Sequence, residues 1–383
     1  MVSLTMFILS LFIAIAGKWG GFDAFSPYAI QFLILGVFLF GYLLLKRTYY
    51  RSGAKWPENH GGPRQIKATI TDYLKMLISW FDAFRQTYAV APGLYYTGNN
   101  YSSDAPLLVT ANYHLTVFLL LRHIRHLNVR LLVVDTDGIN VWCSAGGKGI
   151  FSSQAVMKQI NRYPGHLNQT AQKLSLILPK LSLSGVDLHE LRKNNIRPII
   201  GPVYAKDLPV YLTQAESKGR FTDQSEARVI FGFKARLFTW LPGMVQYMGY
   251  SILLFVGFLF IEQFWGLRAP FGIIPITAII GTAYPLLFPY IPGHRFAVKG
   301  IFLAIFLSSA ITLTALAGGA GGGQLISSVL FIFATAIFIG LTYTGNSAVS
   351  NYSRVRKEVA RFLPVYVILY MASLVTYIIM EVS

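Results

Sequence analysis

The chain has 383 residues, of which 54% are hydrophobic and 13% charged, with a formal net charge of +17 and a positive mean hydropathy. A soluble domain carries about 25% charged residues, so much of this chain is expected in lipid. Its one cysteine excludes an intrachain disulfide framework, a multi-cysteine zinc site and an iron–sulfur cluster held by this chain alone.

In chain order, the first apolar run, Leu4 to Ala16, is short for a bilayer span. The second, Tyr28 to Leu45, is long enough to cross about 30 Å of hydrocarbon, and it stops at Lys46 and Arg47. No basic residue precedes the first run, so the pair predicts an N-terminal transmembrane hairpin over 1–46 rather than a cleaved leader.

Residues 47–238 hold most of the charges and short apolar runs separated by turn residues. Between Thr69 and Phe84, Ile70, Tyr73, Leu74, Leu77 and Trp80 fall at helical spacing. That spacing predicts an amphipathic helix lying against the domain or the membrane surface. Strands are predicted at Leu107 to Ala111, Val129 to Val134 and Arg197 to Val203, with a helix from Leu115 to Leu127 between the first two. Strands alternating with helices predict a parallel α/β domain of Rossmann-like type, with ligands at the strand carboxyl ends. Those ends read Thr110-Ala111-Asn112, Asp135-Thr136-Asp137-Gly138 and Gly201-Pro202-Val203.

Residues 239–383 predict an all-α, multi-span membrane domain with five spans at about 243–262, 271–291, 298–317, 325–344 and 362–380. Arg295, Lys299, Arg354, Arg356, Lys357 and Arg361 cluster in two of its loops. By the positive-inside bias these loops and the 47–238 domain face the cytoplasm of an inner, cytoplasmic membrane, with the C-terminus outside. The same bias, with anionic lipid, accounts for the net charge without nucleic acid. Acidic residues are nearly absent from the predicted spans, which disfavours ion-coupled transport. The chain has no Walker-type phosphate loop, no His-Glu-x-x-His and no Gly-x-Ser-x-Gly. The histidines from His114 to His189 show no metal-ligand spacing.

Cys143 follows the strand ending at Val134, on a stretch rich in small residues, and a helix-like run opens at Ser152. Two readings follow. A lone cysteine is commonly a buried, inert thiol. A thiol at a strand's carboxyl end is also placed where α/β folds hold ligands.

Asn140-Val141-Trp142-Cys143, followed by Ser144, Ala145, Gly146, Gly147 and Lys148, resembles the cap-helix signature of the mercury-methylating corrinoid proteins. That family is related to the corrinoid iron–sulfur protein of the acetyl-CoA pathway. Leu108 to Tyr113 upstream and Gly201 to Pro209 downstream are similar to the family as well, and the resemblance covers roughly 90–380. One departure is an extra glycine before Lys148, which predicts a bulge in the cap turn; the N-terminal hairpin is an addition.

The resemblance implies a corrinoid of cobalamin type bound base-off, with Cys143 as catalytic residue and lower axial ligand of cobalt. It implies methyl transfer to inorganic Hg(II), electrons from a separate ferredoxin-like protein with 4Fe-4S clusters, and a methyltetrahydrofolate-type methyl donor. Thr110 and Asn112 would bond the cofactor's amides or nucleotide tail, and Gly201 would let backbone approach the tail. Trp142 would cover the corrin face or fill the core beneath the turn; Asn140 would hold the cap turn or touch the cofactor. Lys148 and a helix N-terminus would help keep the sulfur ionised. Two further readings stay open: a corrinoid methyl carrier for another acceptor in one-carbon metabolism, and a non-enzymatic membrane receptor or transporter retaining the fold.

Overall fold

A computed structural model describes residues 62–81, 88–146, 149–167, 173–224, 228–265, 272–317, 322–347, 350 and 352–382. The expected N-terminal hairpin over 1–46 lies outside the described residues. Strands β1 (Arg64–Gln65), β2 (Gly93–Tyr96), β3 (Leu107–Ala111), β4 (Arg130–Val134), β5 (Leu174–Leu178) and β6 (Ile196–Ile200) form one sheet. Their order is β1-β2-β4-β3-β5-β6. The four strands β4, β3, β5 and β6 are parallel, while β2 runs antiparallel to β4 and carries β1 beside it.

The parallel part follows from composition. β3 and β4 read Leu-Leu-Val-Thr-Ala and Arg-Leu-Leu-Val-Val and are buried along their whole length, as strands covered on both faces are. Side-chain alternation sends Leu107, Val109, Leu132 and Val134 to one core, and Leu108, Leu131 and Val133 to the other. The first core is covered by α4 (Ser153–Ile160) and α6 (Leu188–Lys193), through Val156, Ile160 and Leu191. The second is covered by α2 (His114–Ile124) and α7 (Leu208–Ser217), through Val117, Leu121 and Tyr211. The short helices α3 (Val141–Gly146) and α5 (Pro164–Leu167) and the amphipathic α1 (Ile70–Phe81) complete this region.

The mixed sheet corrects the expectation of a purely parallel one: six strands are present where three were predicted. The four-residue β2 pairs antiparallel to β4, and β5 is a five-residue run, Leu-Ser-Leu-Ile-Leu, closed by Pro179. The third predicted strand starts one residue earlier than expected and stops at Ile200. Pro198, which cannot donate to a ladder, is accommodated because β6 is the edge strand. The chain leaves β3 for β4 on one side and returns to β5 on the other, so the carboxyl ends of β3 and β5 flank the topological switch point.

The C-terminal region consists of α8 (Phe233–Trp265), α9 (Ile273–Leu287), α10 (Phe296–Ala317), α11 (Gly322–Tyr343) and α12 (Tyr352–Val382). Four of these, α8, α10, α11 and α12, are long and apolar enough to cross a membrane. The second expected span, 271–291, contains α9, a shorter apolar helix of 15 residues. α8 begins at Phe233, so the expected division at 238/239 falls within it, and α12 begins at Tyr352 and draws Arg354 to Arg361 into its first turns.

Two close approaches hold the bundle. A Cβ on Gly340 would stand 2.7 Å from the carbonyl oxygen of Phe296, so α10 and α11 meet where a side chain is missing. Ser327 and Ser373 each donate to the other's carbonyl, at 3.0 and 2.9 Å, joining α11 to α12. Glu358 lies buried in α12 and accepts the Ala297 N–H at 2.6 Å, capping the start of α10.

Candidate functional site

A cavity of about 530 Å³ opens at the carboxyl ends of the parallel strands. Val109 and Thr110 of β3, the Leu178–Leu181 turn after β5, and Gly201 to Val203 after β6 form its walls. α2 adds Thr116 and Leu120, and Asn140 to Cys143 enter from the β4 side. Thr344, Gly345, Ser347 and Ser350, between α11 and α12, close it from the helical region. Largely apolar concavities of this size at a switch point are where α/β sheets hold ligands.

The thiol is set by a small framework. Asn140 stands just before α3, and its side-chain oxygen accepts the Cys143 N–H at 2.9 Å, as an N-cap does. The Cys143 side chain, in the first turn of α3, is exposed and lines the cavity. Ser144 is fully buried and turned inward. Its hydroxyl donates to the Asn140 carbonyl at 2.7 Å, and its own carbonyl accepts Ile150 N–H and Phe151 N–H at 3.0 and 3.3 Å. Ala145 is packed against Gly185, where a Cβ would stand 2.7 Å from the Ala145 carbonyl oxygen. Gly146 ends the helix beside Ser184; Gly147 and Lys148, with the expected bulge, lie outside the described residues.

Asn112 holds the loop that delivers α3. Its side-chain oxygen accepts Thr136 N–H and Gly138 N–H, each at 3.0 Å, with the Thr136 hydroxyl at 2.8 Å, and its amide donates to Asp135 at 3.0 Å. The loop needs that grip because Asp137 and Gly138 both take left-handed backbone, φ 55° and 67°. Asn112 is 2% exposed, does not line the cavity and anchors this loop.

Thr110, Asn140, Val141, Trp142, Cys143 and Gly201 do line the cavity; Ser144, Ala145 and Gly146 support α3 from behind. A Cβ on Gly201 would stand 2.9 Å from the Ile177 side chain, so β6 leaves the sheet tight against β5. Trp142 neither fills the α/β core nor stands apart from the helices: its indole N–H donates to the Ser350 carbonyl at 2.6 Å.

Sequence reasoning missed the cavity's other half. Lys180 is the one charged side chain among the described lining residues, and the Lys180–Ser182 turn packs against α3. The signal for it was the apolar run Leu174 to Leu178 followed by Pro179. Thr344, Gly345, Ser347 and Ser350 gave no signal, because their place in the cavity comes from long-range packing.

α2, which supplies one wall, is fixed at its first residue. His114 lies 2.8 Å from Asp72 in α1 and is 5% exposed. Burial alone would raise the Asp72 carboxyl; hydrogen bonds from Thr69 and His114 outweigh it and hold the group down at about 2. Burial pushes His114 down, against the pull of Asp72. His114 is therefore neutral at pH 7, donating from Nε2, with Nδ1 buried and without a partner.

Among the described residues no three His, Cys, Asp or Glu side chains gather where they could hold a metal ion. Comparison with protein-family models and with curated proteins finds no match to the chain.

Proposed function

We propose that this cavity binds a corrinoid, with Cys143 as the residue that would hold its cobalt. On this reading the protein is a membrane-embedded, corrinoid-dependent methyltransferase acting on inorganic Hg(II), with the α/β region on the cytoplasmic side. The observation that carries the proposal is an exposed thiol held by its own helix cap inside a cavity at the sheet's switch point.

The donor set supports this choice of group. A single thiolate, with no other clustered ligands among the described residues, is a poor site for a bare ion. It would suit a metal that a macrocycle already holds and that asks the protein for one soft ligand. When bound, the corrinoid would supply a cobalt–carbon bond whose methyl group can leave with its bonding electrons, as an electron-poor cation such as Hg(II) requires.

The chain's own residues do the rest. Asn140 fixes the Cys143 main chain through the N–H it accepts. Ser144 ties the far side of the same turn to Ile150 and Phe151, so the sulfur is presented from a braced support. Lys180 adds a positive charge to an otherwise neutral lining, which favours an ionised sulfur. Thr110 and Gly201 offer a hydroxyl-bearing strand end and a bare backbone to polar groups on the cofactor's rim. Electrons would come from a separate ferredoxin-like protein, and the methyl group from a methyltetrahydrofolate-type donor.

The test is to add a corrinoid to the full chain in lipid nanodiscs and record the visible spectrum. A shift on binding that changes in Cys143→Ala, with retained affinity for the corrinoid, is expected; identical spectra for both proteins would sink the axial assignment. Cells expressing the protein with its electron donor should then form methylmercury from Hg(II). Corrinoid binding without methylmercury would make the chain a methyl carrier for another acceptor.

A further inference from the structure

α1 is amphipathic in the wrong sense for a helix on a soluble domain. Its inward stripe is Asp72, Met76 and Ser79: Asp72 reaches His114 at 2.8 Å, and the Ser79 hydroxyl is buried. Its outward stripe is Ile70, Leu74 and Leu77, exposed by 83%, 52% and 45%, with Tyr73, 45% exposed, beside it. A helix covering a core in water turns the apolar stripe inward. Four large apolar side chains on one exposed face mark a surface that meets something other than water.

What it meets is indicated by where α1 ends. Trp80 donates its indole N–H to the Phe238 carbonyl at 3.2 Å, and the two rings lie 5.7 Å apart. Phe238 is in the early turns of α8, one of the helices long and apolar enough to cross a membrane. Around it on α8, Leu237, Phe238, Leu241 and Val245 are themselves exposed. The outer stripe of α1 is thus joined at its C-terminal end to the apolar surface of a membrane-spanning helix.

We propose that α1 lies in the bilayer interface with Ile70, Leu74 and Leu77 in contact with lipid acyl chains. Trp80 stands at the junction, where an indole with an apolar body and one polar donor is well placed at an interface. The consequence reaches the cavity. α1 grips α2 through Asp72–His114 on its inner stripe and through the half-exposed Tyr73 at the edge of its outer stripe, whose ring lies 4.9 Å edge-on from Phe118. α2 in turn supplies Thr116 and Leu120 to the cavity wall, so lipid contact on α1 fixes one side of the site. The inference rests on the membrane-spanning character of α8 and not on the corrinoid reading.

The experiment uses the full chain with Cys143→Ser, so that one introduced cysteine carries an environment-sensitive fluorophore. Leu74→Cys is compared with Leu241→Cys on α8 and with Lys218→Cys, which is exposed at the end of α7, in phosphatidylcholine–phosphatidylglycerol vesicles. The Leu74 label should emit to the blue of the Lys218 label and be quenched by a lipid-borne nitroxide near the headgroups to within about twofold of the Leu241 label. Quenching by aqueous iodide with none by the lipid nitroxide would overturn the proposal. Blue emission that shifts to red when the protein is diluted in lipid would instead make the occupant a second copy of the chain, and would equally overturn it. Leu77→Cys, on the same stripe, repeats the reading if Leu74→Cys does not fold.

Discussion

Trp142 and Ser350 are 208 residues apart in the chain and joined by one hydrogen bond, the indole N–H to the main-chain carbonyl at 2.6 Å. The bond links the residue before Cys143 to the connection between α11 and α12. Ser350 is 6% exposed, so its carbonyl has little access to water as a substitute partner. The helix carrying the thiol is therefore referenced to the apolar C-terminal helices as well as to the sheet.

Trp142→Phe keeps the ring and deletes the donor. Loss of a neutral hydrogen bond that leaves a buried carbonyl unmet costs about 1–3 kcal/mol. Hydrogen exchange at 344–355 should rise in the full chain, while exchange in β3 and β4 stays unchanged. Equal exchange in both proteins would show that the indole bond does not couple the two regions.

Gly185→Ala probes the other support of the same helix. A Cβ there would stand 2.5 Å from the Phe151 carbonyl oxygen and 2.8 Å from the Ala145 Cα, all main-chain atoms with no side chain to swing aside. Overpacking of this kind costs about 1–3 kcal/mol. The midpoint of thermal unfolding should fall. Under the corrinoid reading, the Cys143-dependent spectral change should weaken in the folded protein too, because α3 is displaced. An unchanged midpoint would mean the backbone relaxes around the methyl group.

The contrast between these two supports shows what the sequence made legible. Cys143 and Asn140 stood out as candidates because they follow the apolar run Val129 to Val134, and Thr110 because it lies near the end of the run Leu107 to Ala111. α1 was legible from the spacing of Ile70, Leu74 and Leu77, although its direction of facing was not: periodicity gives a stripe, and only the Asp72–His114 contact says which side is inward. The strand β5 was missed because Ser175 interrupts its short apolar run and no turn residue marks its start, and with it went Lys180. The loop-holding role of Asn112 was not legible. Its position at a strand end suggested a ligand contact, but its side chain is taken up by Thr136, Gly138 and Asp135. Gly185 gave no signal, since close approach of two main chains leaves no pattern along either one.

Asn112→Asp tests that anchor. The carboxylate keeps acceptors for the Thr136 and Gly138 N–H groups, and loses the amide donor that faces Asp135 at 3.0 Å. Two carboxylates then face each other across that distance. The variant should be less stable than the parent by about 2–4 kcal/mol near neutral pH, combining a lost hydrogen bond with like-charge repulsion. Acidification should recover part of the deficit, since a shared proton restores a donor between the two groups. A deficit that does not shrink between pH 7 and pH 5 would rule out repulsion as its source.

His114 sets the pH dependence of the α1–α2 contact. Its folded pKa lies below the unfolded value of about 6.5, because burial disfavours the imidazolium, with Asp72 pulling the other way and Lys75 adding to the burial effect. The folded state then binds fewer protons than the unfolded one, and stability rises with pH across this window. Stability should be full above about pH 7 and fall as the unfolded-state histidine protonates below about 6.5. Asp72 acts in a separate window: held at about 2, it contributes above the ordinary carboxylate value and loses that contribution only as pH falls toward 2. His114→Gln keeps a donor for Asp72 and cannot titrate. Between pH 7 and pH 5 its melting temperature should decline less steeply than the parent's, and parallel declines would show that His114 does not govern this window.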